Sequence, residues 1–213
     1  MKTNETLASQ FLHIIENLRG NLALASESPR RCALLKEAGF KFSVSSSGAS
    51  ELIDEHLSPK ENAYINALKK ARPVAERMPD ALVIGADTLV YYNGEYFGKP
   101  LDASDAERIL KRLSGTTHSV LTGVALVDRR HKIEIYDCAE TLVTMKKVPL
   151  KKIKGYVESG EGFGKAGSYA IQDVGDEFIE KIRGSYTNVV GLPMELLKNL
   201  FEKYLEMKRE KDN

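Results

Sequence analysis

Residues 26–31, with the sequence SESPRR, bring together side chains that bind phosphate groups in proteins. Ser28 and Pro29 are residue types preferred at the N-cap and at the first position of a helix, so we predict that a helix begins here. Arg30 and Arg31 then fall in its first turn. The positive end of the helix dipole disfavours a cation there by about 0.3–1 kcal/mol. Two arginines at this place therefore need a reason beyond helix formation.

A ligand with several negative charges would supply that reason. Free backbone N–H groups at the helix start and the hydroxyls of Ser26 and Ser28 can donate to the oxygens of a polyphosphate. Arg30 and Arg31 add two guanidinium groups that match phosphate geometry. The alternative is that both arginines point into water or pair with nearby glutamates. From this segment alone, both interpretations stay open.

Asp87 is a carboxylate within a sequence that otherwise predicts a buried strand. It follows the apolar run 81–84 through Gly85 and Ala86, and a further apolar pair comes soon after it. Burying an unpaired charge is costly, so Asp87 needs an arginine, a lysine or a metal ion nearby. A structural ion pair and a catalytic role both satisfy this need. Gly85 and Gly98, on either side of Asp87 in the sequence, favour close approach of a ligand.

The sequence lacks the motifs of several other kinds of site. Its four histidines and two cysteines do not have zinc-ligand spacing, and it contains neither a P-loop nor a dinucleotide-binding fingerprint. Cys32 and Cys138 are expected to be reduced, small core residues. A hard divalent cation, Mg²⁺ or Mn²⁺, held by carboxylates and by phosphates of a substrate, is the metal that suits these residue types.

Composition and charge exclude several classes of partner. The chain has 213 residues, of which 42% are apolar, enough for a sizeable core. Its 31 lysines and arginines nearly cancel its 30 aspartates and glutamates, so we expect neither nucleic acid nor a membrane surface as a partner. The first residues do not resemble a signal peptide, and no apolar run approaches the ~20 residues of a membrane span. We therefore expect a cytoplasmic location.

The elements that must position these residues alternate between helices and strands. Apolar spacing and capping residues predict helices at 8–19, from Pro29 to just before Gly39, at 59–77, from a capping box at Ser104 and Glu107, near 149–158, and from Pro193 onward. Strand patterns cover 22–25, 81–92, about 119–128, 132–146 and about 168–172, with a hairpin through RRHK between the third and fourth. This mixture of crossovers and hairpins predicts an α/β or α+β fold with a mixed, twisted sheet.

Five segments, taken in order, resemble the successive motifs of the Maf family of nucleoside triphosphate pyrophosphatases. They are LASESPRR, IGADTLV, GKP, LSGTTHSVLTGVAL and GKAGSYAIQ…IRGSYTNVVGLP. The resemblance implies a two-lobed α/β fold, with helices flanking a mixed sheet around a central cleft, similar to inosine triphosphate pyrophosphatases. It also implies a homodimer and metal-dependent hydrolysis of a nucleoside triphosphate to the monophosphate and pyrophosphate.

The same resemblance suggests how the chain is divided. Residues 21–205 are expected to form a single catalytic domain of two lobes. Residues 1–20 then form an N-terminal helical extension, which we expect to cover one lobe or to extend a dimer contact. Residues 206–213 form a charged C-terminal tail.

Position by position, the resemblance implies roles for seven residues. The phosphate loop of the family falls on Ser26, Arg30 and Arg31. The family's cleft acid, helix lysine, proposed base and loop lysine, which are the implied catalytic residues, fall on Glu51, Lys70, Asp87 and Lys99. Asp87 and Glu51 are also the implied ligands of Mg²⁺ or Mn²⁺. Lys69, next to Lys70, is expected to face solvent.

Within the family, one branch resembles dTTP/UTP pyrophosphatases and another prefers 7-methyl-GTP. Arg30, Thr88 and Gln172 match the dTTP/UTP branch, and they complete the implied substrate-binding set. The amide of Gln172 can accept from the N3–H of uracil or thymine and donate to O4, a pattern that guanine does not offer. The resemblance thus implies hydrolysis of dTTP and UTP, or of modified pyrimidine nucleotides.

Three positions depart from the family pattern beside Gln172. They are Gly164, where an aspartate is usual, and Ala170 and Asp173, where glycines are usual. These departures leave the breadth of accepted bases open. Two alternatives also remain, a 7-methyl-GTP pyrophosphatase and a non-catalytic nucleotide-binding regulator of septum formation.

Overall fold

The computed structural model describes residues 6–18 and 20–212, and its central feature is a mixed, open sheet. In chain order the strands are β1 (Asn21–Leu24), β2 (Ser43–Val44), β3 (Ala81–Tyr92), β4 (Glu95–Phe97), β5 (Thr117–Asp128), β6 (Ile133–Met145) and β7 (Ile179–Arg183). Their order across the sheet is β2-β1-β3-β5-β6-β7, with β4 paired to β3. β1 pairs in parallel with β2 and β3, and the other pairs are antiparallel. The predicted mixed sheet is confirmed.

Helices cover both faces of this sheet. They are α1 (Leu7–Asn17), α2 (Pro29–Glu37), α3 (Pro59–Arg77), α4 (Ala103–Leu113), α5 (Leu150–Ser159), α6 (Ile171–Phe178), α7 (Tyr186–Val190) and α8 (Met194–Asp212), with a 3₁₀ turn at Ala166–Ser168. Alternate residues of a strand point to opposite faces. Val83 and Ala125 therefore pack with α3, whereas Ile84 and Leu126 belong to the larger core on the other face. Burial on both faces explains why β3 is apolar almost throughout.

The helix α3 lies very close to the sheet. A Cβ atom at Gly85 would be 2.2 Å from the carbonyl oxygen of Ala67, and one at Gly123 would be 2.2 Å from that of Ala63. Gly85 thus makes room for a helix of this chain, and the expectation that it admits a ligand is wrong. Gly98 has open space where a Cβ would stand. The close packing brings side chains of α3 next to those of β3.

Two details of the predicted elements are wrong. Asp102, not Ser104, caps α4, because its side chain accepts from the backbone N–H of the third helical residue at 2.8 Å. Residues 168–172 do not form a strand, since Gly167 and Ser168 have φ angles of 72° and 60° that interrupt an extended chain. The 3₁₀ turn and α6 occupy this part of the sequence instead.

The first and last described helices pack on the same side of the core. The ring of Phe11 in α1 meets that of Phe40 edge-on at 5.3 Å between centroids, and Phe40 stacks on Phe201 of α8 at 5.1 Å. Both Phe11 and Phe201 are buried. α1 therefore contributes side chains to the main core.

Parts of the predicted terminal segments lie outside the described residues. These parts are residues 1–5 and 19 of the N-terminal extension and residue 213 of the charged tail. The rest of the segment 206–213 continues α8 to Asp212. Across the described ranges, the structure contains no helix long and apolar enough to cross a membrane.

Candidate active site

A cleft of about 360 Å³ opens where β1 ends and α2 begins. Ligand sites in open α/β sheets commonly lie at such strand ends. Nine residues singled out from the sequence all line this cleft, namely Ser26, Arg30, Arg31, Glu51, Lys70, Asp87, Thr88, Lys99 and Gln172. Separate parts of the chain are thus brought to one place, although they are spread over nearly 150 positions of sequence.

Arg31 is buried and held by three hydrogen bonds. Its Nε donates to the carbonyl oxygen of Gly191 at 2.8 Å, and its two terminal nitrogens donate to Ser26 Oγ at 2.9 Å and to Thr88 Oγ1 at 3.0 Å. Burial lowers the pKa of Arg31, and two carboxylates of the cleft oppose that effect. A guanidinium group has five N–H donors, so two are left for a ligand within the described part of the chain. The interpretation that this arginine points into water is wrong.

Arg30 is half-buried beside it. Its Nε donates to the carbonyl oxygen of Val190 at 3.2 Å. Burial lowers the pKa of Arg30, and the charge of Asp173 opposes this. Among the described residues Arg30 forms no ion pair. Its charge is therefore not neutralised by direct contact with a carboxylate.

Asp87 is 1% exposed and pairs with Lys70, as its burial required. Lys70 Nζ lies 2.6 Å from Asp87 Oδ1. The lysine reaches the strand because α3 packs so closely on it, and the residue opposite Asp87 in β5 is Gly123, which has no side chain. Asp87 Oδ2 is buried without a hydrogen-bond partner among the described residues. One oxygen of this carboxylate is thus fixed by the lysine, and the other is buried without a partner in the described part of the chain.

Glu51 joins two lysines at the cleft. Its Oε1 accepts from Lys70 Nζ at 2.9 Å and from Lys99 Nζ at 3.0 Å. Burial alone would raise the pKa of Glu51, but the hydrogen bonds and charges of Lys70 and Lys99 outweigh it and lower the pKa to about 2. Glu51 is therefore ionised at neutral pH. Lys69, in contrast, is exposed, as predicted.

The charges that line the cleft favour a polyanion. The four cationic side chains (Arg30, Arg31, Lys70 and Lys99) exceed the three carboxylates (Glu27, Glu51 and Asp87) by one formal charge. A triphosphate carries about four negative charges near neutral pH. A divalent cation beside it would offset two of the remaining negative charges. No group of three or more His, Cys, Asp or Glu side chains suited to a metal ion occurs within residues 6–18 and 20–212, so phosphate oxygens would have to complete such a site.

One wall of the cleft is formed by residues from the segment 164–172, and here the structure adds features that the sequence did not indicate. Tyr169 lines the cleft, and its hydroxyl lies 2.7 Å from Nε2 of the buried His118. Gln172 lines the cleft with an exposed side chain. The backbone carbonyl groups that accept from Arg30 and Arg31 were also not predicted. Every residue type has a backbone carbonyl, so the sequence does not show which one acts as an acceptor.

Fold and site together define an α/β protein with a cleft whose lining carries a net positive charge and a buried carboxylate inside it. The family described as Maf-like protein matches residues 21–204, and the chain belongs to this family. A protein of Ruminiclostridium cellulolyticum described as dTTP/UTP pyrophosphatase is 44% identical over 187 residues, 87% of this chain and 97% of its own length. Proteins with the same description from Symbiobacterium thermophilum and Bacillus pumilus are 48% and 45% identical, each over 81% of this chain and over 88% and 90% of their own lengths.

Proposed function

We propose that this chain is a nucleoside triphosphate pyrophosphatase that hydrolyses dTTP and UTP to the nucleoside monophosphate and pyrophosphate. The observation that carries the proposal is the carboxylate of Asp87, which is buried in a cationic cleft with one oxygen fixed by Lys70 and the other without a hydrogen-bond partner among the described residues. The relatives described as dTTP/UTP pyrophosphatases support the choice of substrates.

In this proposal the start of α2 holds the triphosphate. The remaining N–H groups of Arg31 donate to phosphate oxygens from a guanidinium that the protein has already oriented. Arg30 adds a second cation whose charge is not neutralised by a direct contact. As the bond to the leaving pyrophosphate breaks, negative charge grows on that group, and the fixed guanidinium groups stabilise it without reorganisation. This role answers why two arginines stand at a helix start that disfavours them.

Asp87 then acts on water. Lys70 occupies Oδ1, which leaves Oδ2 to accept a hydrogen bond from a water molecule and to orient it toward the α-phosphorus. The water oxygen forms a bond to that phosphorus, the bond from the α-phosphorus to the bridging oxygen breaks, and the proton of the water passes to the carboxylate. Lys70 and Lys99 reduce the negative charge around Glu51 and the phosphates during this step.

Asp87 and Glu51 are the residues that would hold Mg²⁺ or Mn²⁺. The negative charges of these two carboxylates at the cleft and the surplus charge of a bound triphosphate both fit a hard divalent cation. Such an ion would supply additional stabilisation of negative charge on the phosphate oxygens. We accordingly expect a chelator to abolish turnover and added Mg²⁺ or Mn²⁺ to restore it.

Gln172 is the proposed reader of the base. Its amide accepts from N3–H and donates to O4 of uracil or thymine, whereas cytosine presents the opposite pattern. A site that hydrogen-bonds a base edge rejects a base that leaves its groups unpaired. We expect Gln172→Ala to reduce the preference for UTP over CTP.

The reaction is tested by measuring pyrophosphate release from dTTP, UTP, CTP, GTP, ATP and 7-methyl-GTP with Mg²⁺ or Mn²⁺. In water labelled with ¹⁸O, the label should enter the monophosphate and not the pyrophosphate, because attack is at the α-phosphorus. Release from UTP without label in UMP would contradict the mechanism. Preferential turnover of 7-methyl-GTP would contradict the substrate assignment, and UTP binding without turnover would favour a nucleotide-binding regulator.

Neighbouring lysines offer a matched control. Lys70→Ala removes the partner of Asp87 Oδ1, whereas Lys69→Ala changes an exposed residue on the same turn of α3. We expect the first change and Asp87→Asn each to lower kcat by at least about 100-fold, and the second to leave it within about twofold. Equal effects of the two lysine variants would contradict the role given to Lys70.

Two further parts of the proposal concern the setting of the enzyme. We propose that it acts in the cytoplasm and that it is a homodimer, in line with what the family resemblance implies. Light scattering on the purified protein tests the second part, since a dimer has twice the chain mass of 23.7 kDa. A monomer at micromolar concentration would contradict it without affecting the proposed reaction.

A further inference from the structure

The cleft wall that carries Gln172 has little regular backbone to hold it in place. Glycines at 160, 164 and 167 and the buried Ser168 all have positive φ angles between residues 160 and 168. Gly175 inside α6 is also non-helical, with φ 40° and ψ −139°. Short helical turns broken in this way form few repeating backbone hydrogen bonds. The wall is held by scattered backbone hydrogen bonds, such as that from the N–H of Gly167 to the carbonyl oxygen of Gly98 at 3.1 Å, and side-chain contacts add to them.

An ion pair joins the beginning of this wall to its end. Lys165 Nζ lies 2.6 Å from Asp173 Oδ2 and also donates to the backbone carbonyl of Glu161. The lysine side chain is 16% exposed and that of the aspartate 29%. Charges partly withdrawn from water attract each other more strongly than charges on an open surface. In the sequence, residues 169–172, which line the cleft, lie between the two residues of the pair.

Neither charged group of this pair is among the described residues that line the cleft. An effect of the pair on the cleft would therefore be transmitted through neighbouring residues. Asp173 directly follows Gln172 in the sequence and in α6. Its charge also acts on Arg30, since burial lowers the pKa of Arg30 and the charge of Asp173 opposes that effect. One carboxylate is thus adjacent in sequence to the proposed base reader and influences the charge of a proposed phosphate ligand.

We propose that the Lys165–Asp173 ion pair is a clamp that positions Gln172, and that Asp173 is thereby a determinant of base discrimination. This inference rests on the proposed function and deepens the account of the same site. When the pair is intact, the backbone of Gln172 is held and its amide is presented in one orientation. Without the pair, α6 gains freedom at its first turn, and the amide can turn to match the opposite pattern of cytosine.

The clamp is tested with Asp173→Asn, Lys165→Met and the double variant. We expect the ratio of kcat/KM for UTP to that for CTP to fall by about tenfold in each single variant. The double variant should fall no further, because all three remove the same contact. The kcat for UTP should stay within about twofold of the parent, since neither residue touches the reacting groups.

Glu177→Gln is the matched control because it removes a carboxylate from the same helix. Glu177 pairs with Lys152 at 3.2 Å, but these side chains are 70% and 54% exposed. An exposed pair contributes little, so the UTP to CTP ratio should not change. A loss of discrimination in this control equal to that in Asp173→Asn would overturn the clamp in favour of a general effect of charge on α6.

Hydrogen exchange supplies a readout that does not depend on turnover. The backbone amides of residues 169–172 should exchange at least about fivefold faster in Asp173→Asn and in Lys165→Met, and at the parent rate in Glu177→Gln. If the parent hydrolyses UTP but discrimination and exchange are unchanged in Asp173→Asn, the clamp is refuted and the proposed function stands. If the parent hydrolyses no triphosphate, the proposed function is refuted, and the exchange rates alone decide whether the clamp exists.

Discussion

Gly85→Ala tests whether close packing of α3 on the sheet builds the site. The added methyl group would stand 2.2 Å from the carbonyl oxygen of Ala67 and 2.9 Å from the Cβ of Ala71. Both neighbours belong to α3, and the nearer one is backbone, which cannot turn aside as a flexible side chain can. Non-bonded carbon atoms sit at about 3.5–4.0 Å. The Cβ–Cβ contact with Ala71 falls short of this distance by about 0.6–1.1 Å, so the helix must move away from β3 by about 1 Å.

The size of the effect follows from this displacement. Overpacking of a core costs about 1–3 kcal/mol, and for a chain of this length each kcal/mol lowers Tm by about 2–4 °C. We expect a loss of about 2 kcal/mol and a Tm about 4–8 °C lower. Lys70 moves with α3, and its contact of 2.6 Å with Asp87 lengthens beyond hydrogen-bond distance if the whole shift reaches it. Activity should then fall even at temperatures where the variant is folded.

Urea unfolding and pyrophosphate release, both at 25 °C, measure the two effects separately. Gly155→Ala is the matched control, since this glycine lies in the middle of α5 with open space at the Cβ position. There the same substitution should stabilise by about 0.5–1 kcal/mol, because alanine is the better helix former. If Gly85→Ala were as stable and as active as the parent, the close contact with α3 would not determine the geometry of Lys70 and Asp87.

Three further predictions concern the contacts around the cleft and in the core. Thr88→Val keeps the shape of the side chain but removes a hydrogen-bond acceptor of Arg31. We expect KM to rise about tenfold for every triphosphate in steady-state assays. An unchanged KM would contradict the proposal that Thr88 helps to orient the guanidinium of Arg31. Burial lowers the pKa of His118 to about 4, so the folded state binds fewer protons there than the unfolded state, and stability should fall as pH drops from about 6.5 toward 4. Urea midpoints at pH 7 and pH 5 should differ less in His118→Gln; an equal difference would locate the acid sensitivity elsewhere. Phe11→Ala should lower the free energy of unfolding by about 3–5 kcal/mol, because Phe11 is buried. Leu12→Ala should lower it by about 0.5 kcal/mol or less, because Leu12 is 55% exposed. Similar urea midpoints for the two variants would mean that α1 does not stabilise the core.

Local sequence patterns determined most of the elements. The predicted helix at 59–77 and the predicted strand at 81–92 agree with α3 and β3 to the residue, because Ser58 caps the helix in a capping box and an Asn-Gly turn ends the strand. The helix start at Ser28 and Pro29 is also confirmed. These features depend on contacts within a few residues, so they can be read from the sequence.

Longer-range contacts decided what the local patterns left open or got wrong. Residues 168–172 have the composition of a strand, yet the chain turns at Gly167 and Ser168, and a 3₁₀ turn and a helix form in its place. β7 was not predicted, since its pairing with β6 is a contact across more than thirty positions of sequence. The cap of α4 is a local contact that was nevertheless predicted wrongly, because Asp102 and Ser104 are both residue types that can cap a helix and they stand two positions apart.

The sequence by itself determined which residue types the site needs. Arg31 in a first helical turn and Asp87 in a buried strand are each costly alone, and that cost indicates a ligand for the arginine and a partner for the aspartate. Only the tertiary structure decided how each cost is met. Arg31 is stabilised by hydroxyls and by a carbonyl 160 positions away, and Asp87 by a lysine that reaches it because two glycines let α3 approach the sheet. Charge and hydrogen-bonding capacity belong to the residue type, whereas the partner that satisfies them depends on which surfaces the folded chain brings into contact.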